Sequence, residues 1–218
     1  MTTPEPVAAG EPQHHPPRGS VRARRAELLD RLCDLFLAEG FAHVTLGDLA
    51  ARLHCSKSTL YTLADSKEQL AVRVVAHYFK RATDHVEQRG AVHADDVVLR
   101  TRAYLDAAAE ALGPASRQFI ADVGAHGATR ATYEANARAA AERLRGFIEE
   151  GVARGAFRPV HAAFAAEVVG RAVHGIQRGE VGANTGLTDA EAFAELAQFL
   201  LGGLCAEPGQ QAGTTEEQ

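Results

Sequence analysis

Apolar residues recur at three- and four-residue intervals along most of the chain, the spacing of a helix with one buried face. Over residues 21–39 that face is Leu28, Leu29, Leu32, Leu35 and Phe36, and Gly40 ends the run. Thr45 with Asp48 three residues on has the spacing of an N-cap and its acid, opening a short helix over 45–53. Ser56 caps a third helix over 57–63, and Ser66 with Gln69 opens a long one over 66–89 that Gly90 stops. Further helices are predicted over 95–112, 115–124, 129–151, 160–181 and 189–205. Their separators contain Gly113-Pro114, Gly124 with Gly127, Gly155 with Pro159, and Gly182 with Gly186. Val/Ile/Thr runs of period two are missing, so the pattern predicts an all-α fold of about nine helices.

Composition sharpens this picture at the ends of the chain. Five of the eight prolines lie in residues 1–17 and one is Pro208, which predicts disordered tails at 1–19 and 207–218. Three units are expected between them: 20–66, a connecting helix over 67–89, and a larger helical domain over 90–206. No stretch approaches 18 apolar residues and no basic-then-apolar leader is visible, so the chain reads as neither membrane-spanning nor secreted. Cys33, Cys55 and Cys205 form no CxxC pair, in keeping with a reduced, cytoplasmic protein. Cys55 reads as a small hydrophobe in a turn.

The net charge of -5 is unevenly spread. Residues 18–89 carry 12 Lys+Arg against 9 Asp+Glu and hold all three lysines, whereas residues 90–218 carry 11 against 17. A small basic region that meets a polyanion and a larger acidic region with another task are expected. No two of the ten histidines are spaced i,i+3 or i,i+4, so no metal site is expected. Nor is any cofactor: the chain has no nucleophile elbow, no paired carboxylates on a shared motif and no Gly-rich phosphate loop.

Three short helices, the second and third only about three residues apart, have the layout of a helix-turn-helix in a three-helix bundle. Leu46, Leu49, Ala50 and Leu53 pin the second, and Lys57, Ser58, Thr59, Tyr61 and Thr62 on the third supply polar groups able to reach DNA. The same layout also fits a purely structural helical hairpin.

At these residues the chain resembles the tetracycline-repressor (TetR-type) family of transcriptional regulators. The resemblance runs through Leu28-Leu29, Leu35-Phe36, Gly40-Phe41, Val44-Thr45, Asp48-Leu49-Ala50, Leu53, Ser56-Lys57-Ser58-Thr59-Leu60-Tyr61 and Ser66-Lys67-Glu68-Gln69-Leu70. It implies that Thr45, Thr59, Tyr61 and Lys67 lie at the DNA surface, Tyr61 and Lys67 on phosphates, and that residues 57–59 and 62 face the major groove. His54-Cys55 stands where the family usually has Gly-Val, which requires His54 to take a positive-φ turn. Leu63-Ala64 stands where an aromatic pair is usual, removing a phosphate donor and a large core side chain.

For residues 90–206 the resemblance implies an effector-binding and dimerisation domain. The stripes Ala137, Ala140, Ala141, Leu144, Phe147, Ile148 and Phe193, Leu196, Ala197, Leu200, Leu201, Leu204 support a bundle, and the last helices suit a dimer through Leu200 and Leu204. Effector-binding candidates are the large or polar side chains at mid-helix: His77, Tyr78, Tyr104, Phe119, His126, Tyr133 and His174. The combined expectation is a homodimeric repressor that binds palindromic double-stranded operator DNA and is released by a small, largely apolar effector wedged near His77 and Tyr78. The competing reading is an all-helical enzyme or small-molecule carrier with a structural N-terminal bundle.

Overall fold

The structure, a computed structural model, describes residues 18–205. They form ten α-helices: α1 (Arg18–Glu39), α2 (Leu46–Arg52), α3 (Lys57–Tyr61), α4 (Lys67–Ala91), α5 (Val97–Leu112), α6 (Arg117–Ala125), α7 (Gly127–Ala153), α8 (Ala162–Gln177), α9 (Glu180–Thr185) and α10 (Asp189–Leu204). No strand occurs among the described residues, and none of their helices is long and apolar enough to cross a membrane. Apart from residues 18 and 19, which open α1, the expected tails lie outside the described residues.

Helices α1–α3 form the N-terminal head, and their caps follow the polar spacing of the sequence. Thr45 accepts the Asp48 N–H while its own N–H and hydroxyl donate to the Asp48 carboxylate, a reciprocal box that starts α2. Those bonds hold the Asp48 carboxyl below its usual pKa range. Ser56 and Ser66 cap α3 and α4 in the simpler way, each accepting the N–H three residues on. Leu32, Phe36, Leu49 and Leu60 tie the three head helices together in full burial, each contributing about 1.5–3 kcal/mol.

The turn between α2 and α3 does take the strained conformation that His54 requires, with φ +51°, alone among the described non-glycine residues. His54 carries a left-handed cost of about 1–2 kcal/mol. His54→Gly should therefore leave the fold intact and raise the unfolding free energy by up to about 1 kcal/mol, whereas β-branched His54→Val should lower it. Urea melts of the two variants check this; a stabilised valine variant would refute it. Helix α3 ends at Tyr61, two residues earlier than expected, and Leu63 turns inward to fill the head core, with Ala64 packed at its margin.

The expected helix over 160–181 is two helices. Gly179 adopts φ +74° and ends α8, and a Cβ there would meet Arg117 Nε at 2.5 Å. Helix α10 also turns its apolar stripe the other way from the dimer expectation. Leu200 and Leu204 are buried in the body's own core against α5 and α8, while Phe199 is 80% exposed. On neighbouring α8, Phe164 is 68% exposed and Val168 lies one turn along.

Candidate nucleic-acid interface and ligand cavity

The polar side chains of the head gather around the starts of α2 and α3. A Cβ on Gly47 would lie 3.3 Å from Lys57 Cε and 3.5 Å from both Lys57 Nζ and Thr45 Oγ1, so the Lys57 side chain lies over the first turn of α2. Ser58 and Thr59 hydroxyls sit 2.7 and 2.8 Å from Ser56 Oγ, and Thr62 donates to the Thr59 carbonyl. These are exposed local bonds that can exchange for base edges or phosphate oxygens. Tyr61 is half exposed. Lys67 Nζ donates to the Ala42 carbonyl at 2.7 Å, which fixes the ammonium beside the loop between α1 and α2 and leaves two of its three N–H donors.

That loop is held from the body by Asp122 on α6, a buried carboxylate. It accepts the Phe41 N–H at 2.5 Å, the Ala42 N–H at 2.7 Å and the Gln118 amide at 2.7 Å. Gly40, at φ +79°, must be glycine for this approach: a Cβ would sit 2.5 Å from Asp122 Oδ2. Nearby, aromatic rings run in contact from body to head: Tyr133 to Phe79 at 5.8 Å, Phe79 to Tyr78 at 4.9 Å, Tyr78 to Phe119 at 5.6 Å and Phe119 to Phe41 at 6.3 Å.

At the body end of these rings lies a cavity of about 130 Å³ between α4, α5, α7, α8 and α10. Tyr104 and Tyr133 line it, with Phe79, Phe193, Asn136 and Gln177. Burial raises both tyrosine pKa values, so the phenols stay protonated. Tyr104 donates to the Ala140 carbonyl, and Tyr133 donates to Gln177 Oε1 at 2.9 Å. His174 stands outside the cavity, on the surface, and meets it only through the 3.1 Å contact of its Nδ1 with the Tyr133 hydroxyl.

The other four effector candidates are placed elsewhere. His77 Nε2 is 2.7 Å from Asp30 in the seam between α1 and α4, because its side of α4 faces the head. Tyr78 and Phe119 are buried in the core shared by head and body, Tyr78 donating to the Ala111 carbonyl. His126 lies outside this cavity and packs 5.8 Å from the Phe41 ring. Cys33 is buried in the same core as Tyr78, which pushes its thiol up to about 11 and keeps it unreactive.

Sequence reasoning missed Asp122 and Gln177. Gln177 falls in register with Ala166, Val169 and Val173, so an amide in an otherwise apolar helix face was the available signal. Asp122 offers no such signal, since the loop it holds is reached through backbone groups some 80 residues away.

Residues 28–74 match the family described as bacterial regulatory proteins, tetR family. No curated protein matches the chain in sequence. Among solved structures, it resembles a TetR-family transcriptional regulator from Agrobacterium tumefaciens (18% identity, TM-score 0.69, covering 85% of this chain and 100% of that one). It also resembles a transcriptional-regulator structure from Saccharomonospora viridis in complex with choline (18%, 0.70, 85% and 100%). A third is AibR in complex with isovaleryl coenzyme A and operator DNA (21%, 0.60, 82% and 98%). At these identities the likeness is one of fold.

Proposed function

We propose that this chain, which belongs to the tetR family of bacterial regulatory proteins and carries that family's DNA-binding head at residues 28–74, is a cytoplasmic homodimeric repressor released from palindromic operator DNA by a small effector. The family is one of DNA-binding transcriptional regulators, which displaces the enzyme reading. The observation that carries the proposal is the continuity between the two sites: Phe79 and Tyr133 line the cavity, and the ring contacts from them end at Phe41, in the loop that Lys67 and Asp122 hold.

The switch follows from this arrangement. An effector that displaces Tyr133 presses on Phe79, which sits on α4 about 18 Å from Lys67 at 1.5 Å per residue. The contact point is therefore Phe79, one residue beyond the His77–Tyr78 pair of the sequence expectation. A tilt of α4 shifts the head and spoils the registration of two recognition helices that must sit about 34–36 Å apart, one turn of duplex, or a multiple of that. A 100-fold preference of the effector for the released state corresponds to about 2.7 kcal/mol, within the usual range of coupling energies.

In the DNA-bound dimer, Lys57, Ser58, Thr59 and Thr62 face base edges while Thr45, Tyr61 and Lys67 contact the backbone. Lys67→Ala should weaken binding to all sequences alike and lower the slope of log affinity against log salt by about one for each phosphate that is no longer neutralised. Lys57→Ala or Thr59→Ala should in addition relax base preference, by about 1–3 kcal/mol of discrimination at the position read. Fluorescence anisotropy on operator and scrambled duplexes over a salt series separates these effects. An unchanged affinity and slope for Lys67→Ala would mean that the DNA surface is misassigned.

A further inference from the structure

The cavity pairs a largely apolar wall with one buried unmet donor. No Asp, Glu, Lys, Arg or His lines it among the described residues. Gln177 is 4% exposed, and Tyr133, whose single hydroxyl proton goes to Gln177 Oε1, turns the amide oxygen toward itself. The amide nitrogen Nε2 is then left buried with no hydrogen-bond partner. A buried N–H without an acceptor is costly, and an acceptor brought in by a ligand removes that cost.

We propose that the cavity takes a neutral, largely apolar small molecule bearing one accepting oxygen, such as a ketone, ester or amide carbonyl, with that oxygen on Gln177 Nε2. This rests on reading the cavity as the effector site. Anionic ligands are disfavoured because no cation lines the wall to replace their hydration. Cations are also disfavoured: four aromatic side chains, Phe79, Tyr104, Tyr133 and Phe193, would suit a quaternary ammonium, but an N–H donor in the same wall opposes it. A site built around a hydrogen bond rejects the isostere that lacks it, which makes the oxygen a specificity element as well as a source of affinity.

The test uses four probes of similar size on the full chain, by isothermal titration and ligand-observed NMR: acetophenone, its near-isostere α-methylstyrene, benzoate and phenyltrimethylammonium. Acetophenone should bind about tenfold or more tighter than α-methylstyrene, and the two ions should bind more weakly than either. Gln177→Met should bring acetophenone down to the level of α-methylstyrene while α-methylstyrene itself still binds. Gln177→Leu, which removes the amide while Tyr133 keeps His174 Nδ1 within 3.1 Å, should do the same, so the proposal remains testable if one variant fails to fold. Equal affinity for the two neutral probes, tighter binding of either ion, or no binding of either neutral probe would overturn it. Operator affinity is measured alongside: the expected probe preference with unchanged DNA binding would uphold the ligand class and sink the effector reading, so the two failures are distinguishable.

Discussion

Phe164→Glu combined with Phe199→Glu should give a folded monomer whose operator affinity is lower by about two to four orders of magnitude. Both rings stand exposed on adjacent helices α8 and α10, with Val168 beside Phe164, on the outer face of the body. Exposed phenylalanines on two contacting helices make a face that another surface can cover, and the near-palindromic operator proposed above calls for a second copy of this chain in that place. Charges there cost nothing in the monomer, since the side chains already face solvent, but they would be buried on dimerisation without partners. Losing the dimer loses the second recognition helix, and with it the gain from binding two half-sites at once. Sedimentation equilibrium and operator titration read the two effects separately. A double variant that remains dimeric would place the interface on another face. Leu200→Glu with Leu204→Glu is expected to behave differently: those side chains lie in the body's own core, so that pair should unfold the chain rather than dissociate it.

Asp122→Ala should be the most damaging single change outside the apolar core. The carboxylate accepts two backbone N–H groups of the loop at Phe41 and Ala42, and hydrogen bonds to a charged group are each worth about 1.5–3 kcal/mol. Truncation should therefore lower the unfolding free energy by about 3 kcal/mol or more, which for a chain of this size is about 6–12 °C in Tm. Operator affinity should fall as well, because the loop that carries the Lys67 contact and leads into Thr45 is no longer fixed to the body. Calorimetry and operator titration check both; a Tm within about 2 °C of the parent would show that the contact is dispensable. Asp122→Asn, retaining one accepting oxygen and one misplaced donor, should fall between the two.

Much of the head was legible because its determinants are local. Caps at Thr45, Ser56 and Ser66, the apolar face of α1 and the positive-φ demand on His54 all act within a few residues, and the folded chain realises each of them. In the body the stripes were correctly located, yet their orientation was not deducible from periodicity. A stripe marks which residues share a face, whereas the three-dimensional packing decides what that face meets, so Leu200 and Leu204 turned inward and Phe199 outward. The break at Gly179 was missed because nothing in the sequence sets Gly179 apart from Gly175 within an apolar helix pattern, whereas in the folded chain Gly179 takes φ +74° against Arg117. Of the cavity, Tyr104 and Tyr133 were among the residues anticipated. His77, Tyr78, Phe119 and His126 were drawn away by partners on α1, α5, α6 and the loop before α2.

The Asp122 contact bears on how chains of this architecture can be recombined. By sequence likeness the head closes near residue 74, but its core is completed by Phe119, Ile120 and Val123, and its loop is capped by a carboxylate 80 residues downstream. The inheritable module is therefore discontinuous: α1–α4 together with α6. A chimera that joins this head to a foreign body at the end of α4 would leave two loop N–H groups without an acceptor and an apolar patch uncovered. Grafted with α6, the same head would carry its own keystone, so that, apart from Phe79 of α4, the lining of the proposed effector cavity falls on α5, α7, α8 and α10, where the chain can vary without unseating the head.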